Sequence, residues 1–200
     1  MLEAKVIVQV HDRLTAEWHH TKPEEQWTQD EWLGLVARQH RANFDLWHIE
    51  DEARRPGASD ADLARVKRRI DGTNQQRNDL VEELDRILLD WLEERGLPNP
   101  EAPLHSETPG LIIDRLSILS LKIYHTREEV QRKDAPEGHD ARNRERLAIL
   151  ERQRHDLAGC LDALWKEIEG GTRRFALYRQ LKMYNDASLN PAIYRKSESK

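Results

Sequence analysis

Apolar residues recur every three or four positions along most of the chain, a spacing that predicts long amphipathic helices. The clearest apolar stripe runs from residue 63 to residue 91, and each of its steps keeps the side chains on one helical face. Two polar residues, Asn74 and Arg77, interrupt its middle. An amide or a guanidinium directed at a core costs several kcal/mol unless it is paired or faces a wet pocket, so we expect partners for both. The stripe consists of Leu63, Val66, Ile70, Asn74, Arg77, Val81, Leu84, Leu88 and Trp91.

Signals for helix starts and helix ends divide the chain into six predicted helices. Thr28 with Glu31 predicts a capping box at one helix start, and Ser59 predicts a second start. Thr108 before Pro109 predicts a third, with the proline at the first helical position. The predicted helices cover about 2–20, 29–55, 60–96, 109–133, 140–169 and 172–185.

Long helices with short connections, and no convincing strand alternation, predict an all-α fold. The architecture that they favour is an antiparallel helical bundle of about five to six helices. A chain of 200 residues is long enough for one sizeable core, so a single domain is predicted over 1–195. The residues 196–200 are expected to form a disordered tail.

Composition narrows the classes of function. Charged residues make up 34% of the chain, against about 25% in an average protein, and the net charge is -5. Lysine and arginine alternate with acids instead of forming a basic surface, which argues against nucleic-acid binding. The single cysteine, Cys160, excludes an internal disulfide, and its place beside an apolar stripe predicts a small core residue. No segment resembles a signal peptide or a membrane span, so we predict a cytoplasmic protein.

Polar residues on three predicted helices form the candidate site, and in a bundle they could meet in one charged cavity. One interpretation is a ligand pocket. The other is a buried salt-bridge network that fixes helix register, in which Arg77 pairs with Glu50 or Asp51. Asp114 would then pair with Arg54. The candidate residues are Asn43, Trp47, His48, Glu50, Asp51 and Arg54 on the second helix, Asn74, Arg77 and Asn78 on the third, and Asp114, Arg115, Lys122 and His125 on the fourth.

The residue types in the candidate site suit an anionic small molecule. Cations would hold its negative charge, amides would orient its hydroxyl or amide groups, and Trp47 would stack on a ring. If there is catalysis, His48 or His125 is expected to transfer a proton, with a neighbouring acid setting its tautomer and pKa. The sequence leaves open whether the protein is an enzyme and which cofactor, if any, it uses. The cations are Arg54, Arg77, Arg115 and Lys122, the amides Asn43, Asn74 and Asn78, and the acids Glu50, Asp51 and Asp114.

The helix start at residues 108–110 is a second candidate anion site. A helix N-terminus offers free amide groups and a partial positive charge, and Gly110 lets a ligand approach the backbone that Thr108 caps. Arg115 follows one turn later and could add a full positive charge. An ordinary capped helix start is the alternative interpretation.

The sequence predicts no metal site. Di-iron bundles hold their metal with a Glu-x-x-His pair on each of two helices plus further carboxylates. In this chain only Glu17 and His20 have that order, near the end of a predicted helix.

Several ordered phrases of the chain carry a family resemblance. They are NFDLWHIEDEAR at 43–54, KRRID with NQQRND between 67 and 79, SETPGLIIDRLSILSLKIYH at 106–125, and KMYND with NPAIY between 182 and 194. Together they resemble a bacterial family, domain of unknown function 4254. The resemblance implies an all-helical single domain but brings no established activity or site residues. Such proteins are expected to accompany cell-surface glycan genes, which implies a sugar-phosphate or nucleotide-sugar ligand, or a glycosyltransferase partner.

A non-enzymatic interaction protein is the alternative function. In that case the interior polar network only specifies packing, and the surface helices dock a partner or a second copy of the chain. A homodimer or a complex with a glycosyltransferase is the arrangement this alternative implies.

Overall fold

The computed structural model describes residues 2–21, 30–179, 181, 188, 189 and 191. Within these residues five helices pack against one another and no strand forms, which confirms the predicted all-α bundle. None of these helices is both long and apolar enough to cross a membrane. The helices are α1 (Ala4–His20), α2 (Glu31–Ala53), α3 (Asp60–Glu93), α4 (Pro109–Gln131) and α5 (His139–Glu169).

Two of the predicted helix starts are confirmed, and one is displaced. The Ser59 side chain caps α3 in a capping box, and Thr108 caps α4 with Pro109 at the first helical position. In α2 the cap is Asp30, whose side chain accepts a hydrogen bond from the Leu33 backbone N–H. The predicted cap at Thr28 is outside the described residues. The helix begins at Glu31 and not at 29, because the Asp30 carboxylate accepts the capping hydrogen bond as well as a threonine hydroxyl would.

The prediction of a sixth helix over 172–185 is wrong for its described part, residues 172–179, which are not helical. Gly171 ends the turn after α5 with a φ of +70°, and the chain then runs back against the connection before α4. There the Arg174 carbonyl oxygen accepts a hydrogen bond from the His105 backbone N–H (2.7 Å). The Arg174 backbone N–H donates one to the Pro103 carbonyl oxygen (3.2 Å). These bonds use backbone groups that a helix would have needed. Residues 180 and 182–185, like the tail at 196–200, are outside the described part.

Helices α1, α2 and α4 run in one direction, and α3 and α5 run in the other. The bundle is therefore antiparallel between consecutive helices from α2 onwards, whereas α1 and α2 are parallel. The carboxyl-terminal halves of α1, α2 and α4 consequently lie at the same end of the bundle. The defining contacts are Thr15–His40 and His19–His48 for α1 and α2, Gln39–Asp114 and Trp47–His125 for α2 and α4, Ala4–Asp162 and Asp12–Arg154 for α1 and α5, and Arg77–Asp114 and Asp85–Gly110 for α3 and α4.

The apolar stripe of α3 packs into the core along the second half of the helix, where Leu84 and Leu88 are fully buried. Towards the start of the helix the stripe leaves the core, and Leu63 is exposed. Asn74 and Arg77 lie at this transition and are half-buried, so they stand at the margin of the core.

Cys160 is exposed, so its prediction as a core residue is wrong. Its neighbours Leu161 and Leu164 are buried among the core residues. One position along a helix turns a side chain by about 100°, which is enough to place Cys160 on the open side of α5.

Candidate functional site

A cleft of about 500 Å³ lies between α2, α3 and α4. Its polar wall comes from predicted site residues on α2 and α3, whereas α4 contributes only apolar side chains to it. The cleft does not gather the predicted cations of all three helices, because Arg115 and Lys122 of α4 are not among the described residues that line it. The cleft is lined by Asn43, Leu46, Trp47, Glu50, Asp51, Arg54, Asn74, Arg77, Ile118 and Leu121.

Beside this cleft Asp114 is buried, with 4% of its surface exposed, and it accepts hydrogen bonds from three residues. Gln39 Nε2 donates over 2.6 Å and Asn43 Nδ2 over 2.9 Å, both from α2. Arg77, from α3, donates from Nε over 2.7 Å and also from Nη2. One carboxylate on α4 thus ties α2 and α3 to a common register, and the same hydrogen bonds raise the pKa of Arg77.

The predicted ion pairs, Arg77 with Glu50 or Asp51 and Asp114 with Arg54, are wrong. Arg77 pairs with Asp114, and neither Glu50 nor Asp51 is its partner. Arg54, the C-cap residue of α2, pairs with Glu50 in the last turn of that helix, with Nη1 and Oε2 3.1 Å apart. Sequence positions four apart on one helix face each other, which favours the local pair over the one between helices.

Several polar groups of the cleft have no partner among the described side chains. The Asn74 amide and the Asp51 carboxylate make no hydrogen bond or ion pair to a described residue. Arg77 uses Nε and Nη2 for Asp114, so its Nη1 keeps its N–H groups for another acceptor. The cleft therefore offers an amide, a carboxylate and the third nitrogen of a fixed guanidinium.

Three of the cations and amides predicted for the three-helix site, Arg115, Lys122 and Asn78, do not line this cleft. Arg115 and Lys122 line a groove of about 560 Å³ between α4 and α5, together with Asp156 and Cys160. Arg115 also binds Glu107, with Nη1 2.8 and 2.9 Å from the two carboxylate oxygens. Asn78 is half-buried on α3 and is not among the residues that line the cleft.

The helix start at residues 108–110 binds a carboxylate of the chain itself. The side chain of Asp85, which is 3% exposed, accepts hydrogen bonds from Thr108 Oγ1 and from Gly110 N–H, the latter over 2.7 Å. Burial raises the pKa of Asp85 to about 6, although both hydrogen bonds act in the opposite direction. The predicted external anion at this position is therefore replaced by Asp85.

His48 and His125 lie beside the cleft, in a group with His19 that we call the histidine cluster. One ring nitrogen of each lies within 4.8 Å of those of the other two, so these residues could hold a metal ion. Trp47 joins the two regions, because it lines the cleft and stacks on the His125 ring at 4.7 Å with an interplanar angle of 8°. Burial lowers the pKa of His125, and its hydrogen bond to Glu128 opposes this effect.

His19 is the one member of the histidine cluster that the sequence did not predict as a site residue. Its only sequence signal is its position in the last turn of α1, where a histidine is favoured by the helix dipole. The meeting of His19 with His48 depends on α1 and α2 being parallel, and the connection between them does not reveal their direction.

These features define an all-helical bundle with a polar cleft between three helices and a histidine cluster beside it. Residues 33–177, which include all but the first two residues of α2 and the whole of α3, α4 and α5, match the family described as protein of unknown function (DUF4254). The chain belongs to this family, which confirms the resemblance seen in its sequence. Neither the curated proteins nor the solved structures contain a match to the chain.

Proposed function

We propose that the cleft binds an anionic small molecule of the size of a sugar phosphate or a nucleotide sugar. The observation that carries this proposal is the guanidinium of Arg77, which Asp114 fixes through two of its nitrogens while the third stays without a described partner. A preorganised guanidinium loses little side-chain freedom when it binds a phosphate or a carboxylate. The volume of about 500 Å³ is within the usual range of about 300–1,000 Å³ for small-molecule sites.

The other groups of the cleft suit the remainder of such a ligand. Arg54 adds positive charge, and the Asn74 amide can both donate and accept hydrogen bonds. The carboxylates of Glu50 and Asp51 can accept from sugar hydroxyls, and they disfavour a ligand with several negative charges. Trp47 provides an aromatic surface at the wall. Of the two proposed ligands, a sugar phosphate, with one localised anionic group, therefore fits this distribution better than the diphosphate of a nucleotide sugar does.

The proposal concerns binding and assigns no reaction. Of the predicted proton-transfer groups, His125 stacks on Trp47 of the cleft lining, and His48 lies next to His125 in the histidine cluster. The cytoplasm and cell-surface glycan synthesis are the setting that we propose for this ligand, in line with the expectation from the family resemblance.

The test is a thermal-shift screen of the purified protein against sugar phosphates, nucleotide sugars and free nucleotides. A ligand at a hundredfold excess over its Kd stabilises the fold by about 2.7 kcal/mol, a rise in Tm of about 5–10 °C for a chain of this size. We expect Asn74→Ala and Arg54→Gln to weaken binding of the hit at least tenfold. Arg55→Gln is the matched control, because Arg55 is the neighbouring arginine and does not line the cleft.

A non-enzymatic interaction protein remains the second candidate function. The observation that favours it is the Asp114 network, which its protein donors satisfy and which fixes helix register without any ligand. No stabilisation by any compound of the screen would favour this candidate. The next measurements would be sedimentation for a homodimer and a pull-down with a glycosyltransferase from the same gene cluster.

A further inference from the structure

We propose that the histidine cluster is a binding site for a divalent transition-metal ion of the Zn²⁺ class. The three rings come from the same end of the bundle, on α1, α2 and α4, with centroids 5.0 to 5.9 Å apart. Tetrahedral zinc with bonds of about 2.1 Å separates its ligand nitrogens by about 3.4 Å. The observed limit of 4.8 Å between ring nitrogens is therefore closed by side-chain shifts on the order of 1 Å. The site is independent of the proposed ligand of the cleft.

Hydrogen bonds set the same tautomer in all three rings. His19 Nδ1 lies 2.7 Å from the Thr15 carbonyl, and His48 Nδ1 lies 2.8 Å from the Phe44 carbonyl. A carbonyl only accepts, so each Nδ1 carries the hydrogen and each Nε2 carries a lone pair.

His125 follows the same rule, with Nδ1 2.9 Å from a carboxylate oxygen of Glu128. Its Nε2 is therefore the nitrogen left with a lone pair. A ring N–H held by a carbonyl or a carboxylate is the usual second-shell arrangement of a metal-binding histidine, because it orients the ring and raises its basicity.

The Nε2 atoms of His19 and His125 are buried and meet no hydrogen-bond partner among the described residues. Buried polar atoms without a partner are rare, and here two of them belong to rings that each place one nitrogen within 4.8 Å of the other rings of the cluster. Lone pairs without hydrogens between them repel one another unless an electrophile binds them. A single metal ion would bind a nitrogen of each of the three rings at once.

Aromatic side chains back each imidazole and restrict its rotation. Tyr124 stacks on His19 with ring centroids 4.3 Å apart, and Phe44 lies 4.3 Å from His48. Trp47 stacks on His125 at 4.7 Å. Ligands that are already held in place favour binding, since less side-chain freedom is lost.

The donor set indicates the class of ion. Three imidazole nitrogens suit zinc, copper, nickel, cobalt or iron, whereas magnesium and calcium require oxygen ligands. His19 also lies in the last turn of α1, where the negative end of the helix dipole favours a cation. Three protein ligands leave a fourth position open for water or for a small molecule.

The first experiment measures metal binding by the full chain after dialysis against a chelator. We expect one equivalent of Zn²⁺ in calorimetry, and Co²⁺ should give the visible d–d absorption of a tetrahedral site without the thiolate charge-transfer band that Cys160 would produce. The Cu²⁺ complex should show hyperfine coupling to several nitrogens in its electron paramagnetic resonance spectrum, a readout that needs no variant. A wild-type protein that takes up none of these ions stoichiometrically would overturn the proposal.

The second experiment uses single variants whose folding is checked by circular dichroism. His19→Gln, His48→Gln and His125→Gln should each weaken Zn²⁺ binding by more than the tenfold to hundredfold loss that second-shell changes cause. Glu128→Gln should weaken it about tenfold, because the ring of His125 keeps its acceptor but loses the negative charge. His20→Gln is the control, since His20 is exposed on the next position of α1. Unchanged affinity in folded variants of all three histidines would also overturn the site.

Discussion

Asp114 and Asp85 are both buried carboxylates between α3 and α4, but the protein stabilises them differently. Asp114 is neutralised by the guanidinium of Arg77 and receives two further hydrogen bonds from amide side chains of α2. Asp85 has no cation among its hydrogen-bond donors and relies on the N-terminus of α4, through the Thr108 hydroxyl and the Gly110 amide. A helix N-terminus supplies about half a positive charge, against the full charge of an arginine.

The difference shows what each arrangement can do for the fold. The Asp114 network connects three helices, and it leaves one nitrogen of Arg77 available at the cleft. The Asp85 contact connects only α3 and α4, and it uses the Thr108 hydroxyl and the Gly110 N–H of the helix start. A dipole compensates a buried charge less well than a cation does, which is why burial still raises the pKa of Asp85 to about 6.

Removing the cation from the first region should have the largest effect. Arg77→Met leaves Asp114 buried without a counter-charge, and we expect the free energy of unfolding to fall by about 3–5 kcal/mol. Urea denaturation measures this value. Adding Asp114→Asn to the same chain should restore much of the loss, because no uncompensated charge remains.

The matched control for this pair is Arg68→Met. Arg68 is exposed on an earlier turn of α3, so its replacement should change stability by less than about 0.5 kcal/mol. An Arg77→Met variant as stable as the control would show that Asp114 does not depend on its cation.

The raised pKa of Asp85 should make the free energy of unfolding depend on pH. Its pKa is 3.8 in the usual case and about 6 in the fold, so between these values the folded protein holds a proton that the unfolded chain has lost. By linkage the Asp85 contribution to stability falls as pH rises from about 3 to about 8, by about 3 kcal/mol. Asp85→Asn cannot ionise, so the variant should gain about 3 kcal/mol relative to wild type over that range.

Two buried histidines change stability with pH in the opposite direction, but their effect cancels when wild type is compared with Asp85→Asn. Burial lowers the pKa of His40 to about 3 and also lowers the pKa of His11, so their contribution is present above about pH 6.5 and is lost as pH falls towards the folded pKa. Both histidines are present in wild type and variant alike. Nearby Glu82 raises the pKa of Asp85 further and is likewise unchanged. Urea titrations at four or five pH values measure the difference, and parallel curves would contradict the prediction.

The sequence predicts the helices well because their apolar stripes and caps are local signals. Ser59 and Thr108 cap the helices that they indicated, and the interruption at Asn74 and Arg77 marked residues that do need a polar environment. The predicted sixth helix is wrong over its described residues 172–179, where Arg174 bonds to the distant connection at Pro103 and His105, a contact that no local pattern contains.

The sequence predicted which residues line the cleft better than it predicted which of them pair with one another. Side chains of one helix face, such as Asn43, Trp47 and Glu50, remain together in the cleft because helical spacing fixes them. Which acid meets Arg77, and which anion meets Gly110, depends on the rotation of one helix against another. Asp85 is one position off the apolar stripe, so the periodicity gave it no special place.

The close approach of α4 to Asp85 gives the smallest effect, and it concerns geometry instead of charge. A Cβ atom on Gly110 would lie 2.7 Å from Asp85 Oδ1 and 2.8 Å from the Val81 carbonyl oxygen, both shorter than carbon–oxygen contact allows. The backbone oxygen cannot move without shifting α3, so Gly110→Ala should cost about 1–3 kcal/mol in urea denaturation. Gly159→Ala is the control within α5, where nothing lies within 4 Å of the added carbon, and it should gain up to about 1 kcal/mol from helix propensity. Equal stabilities for the two variants would mean that the helix start can open, and then Asp85 would be a replaceable occupant of an anion site instead of a fixed part of the fold.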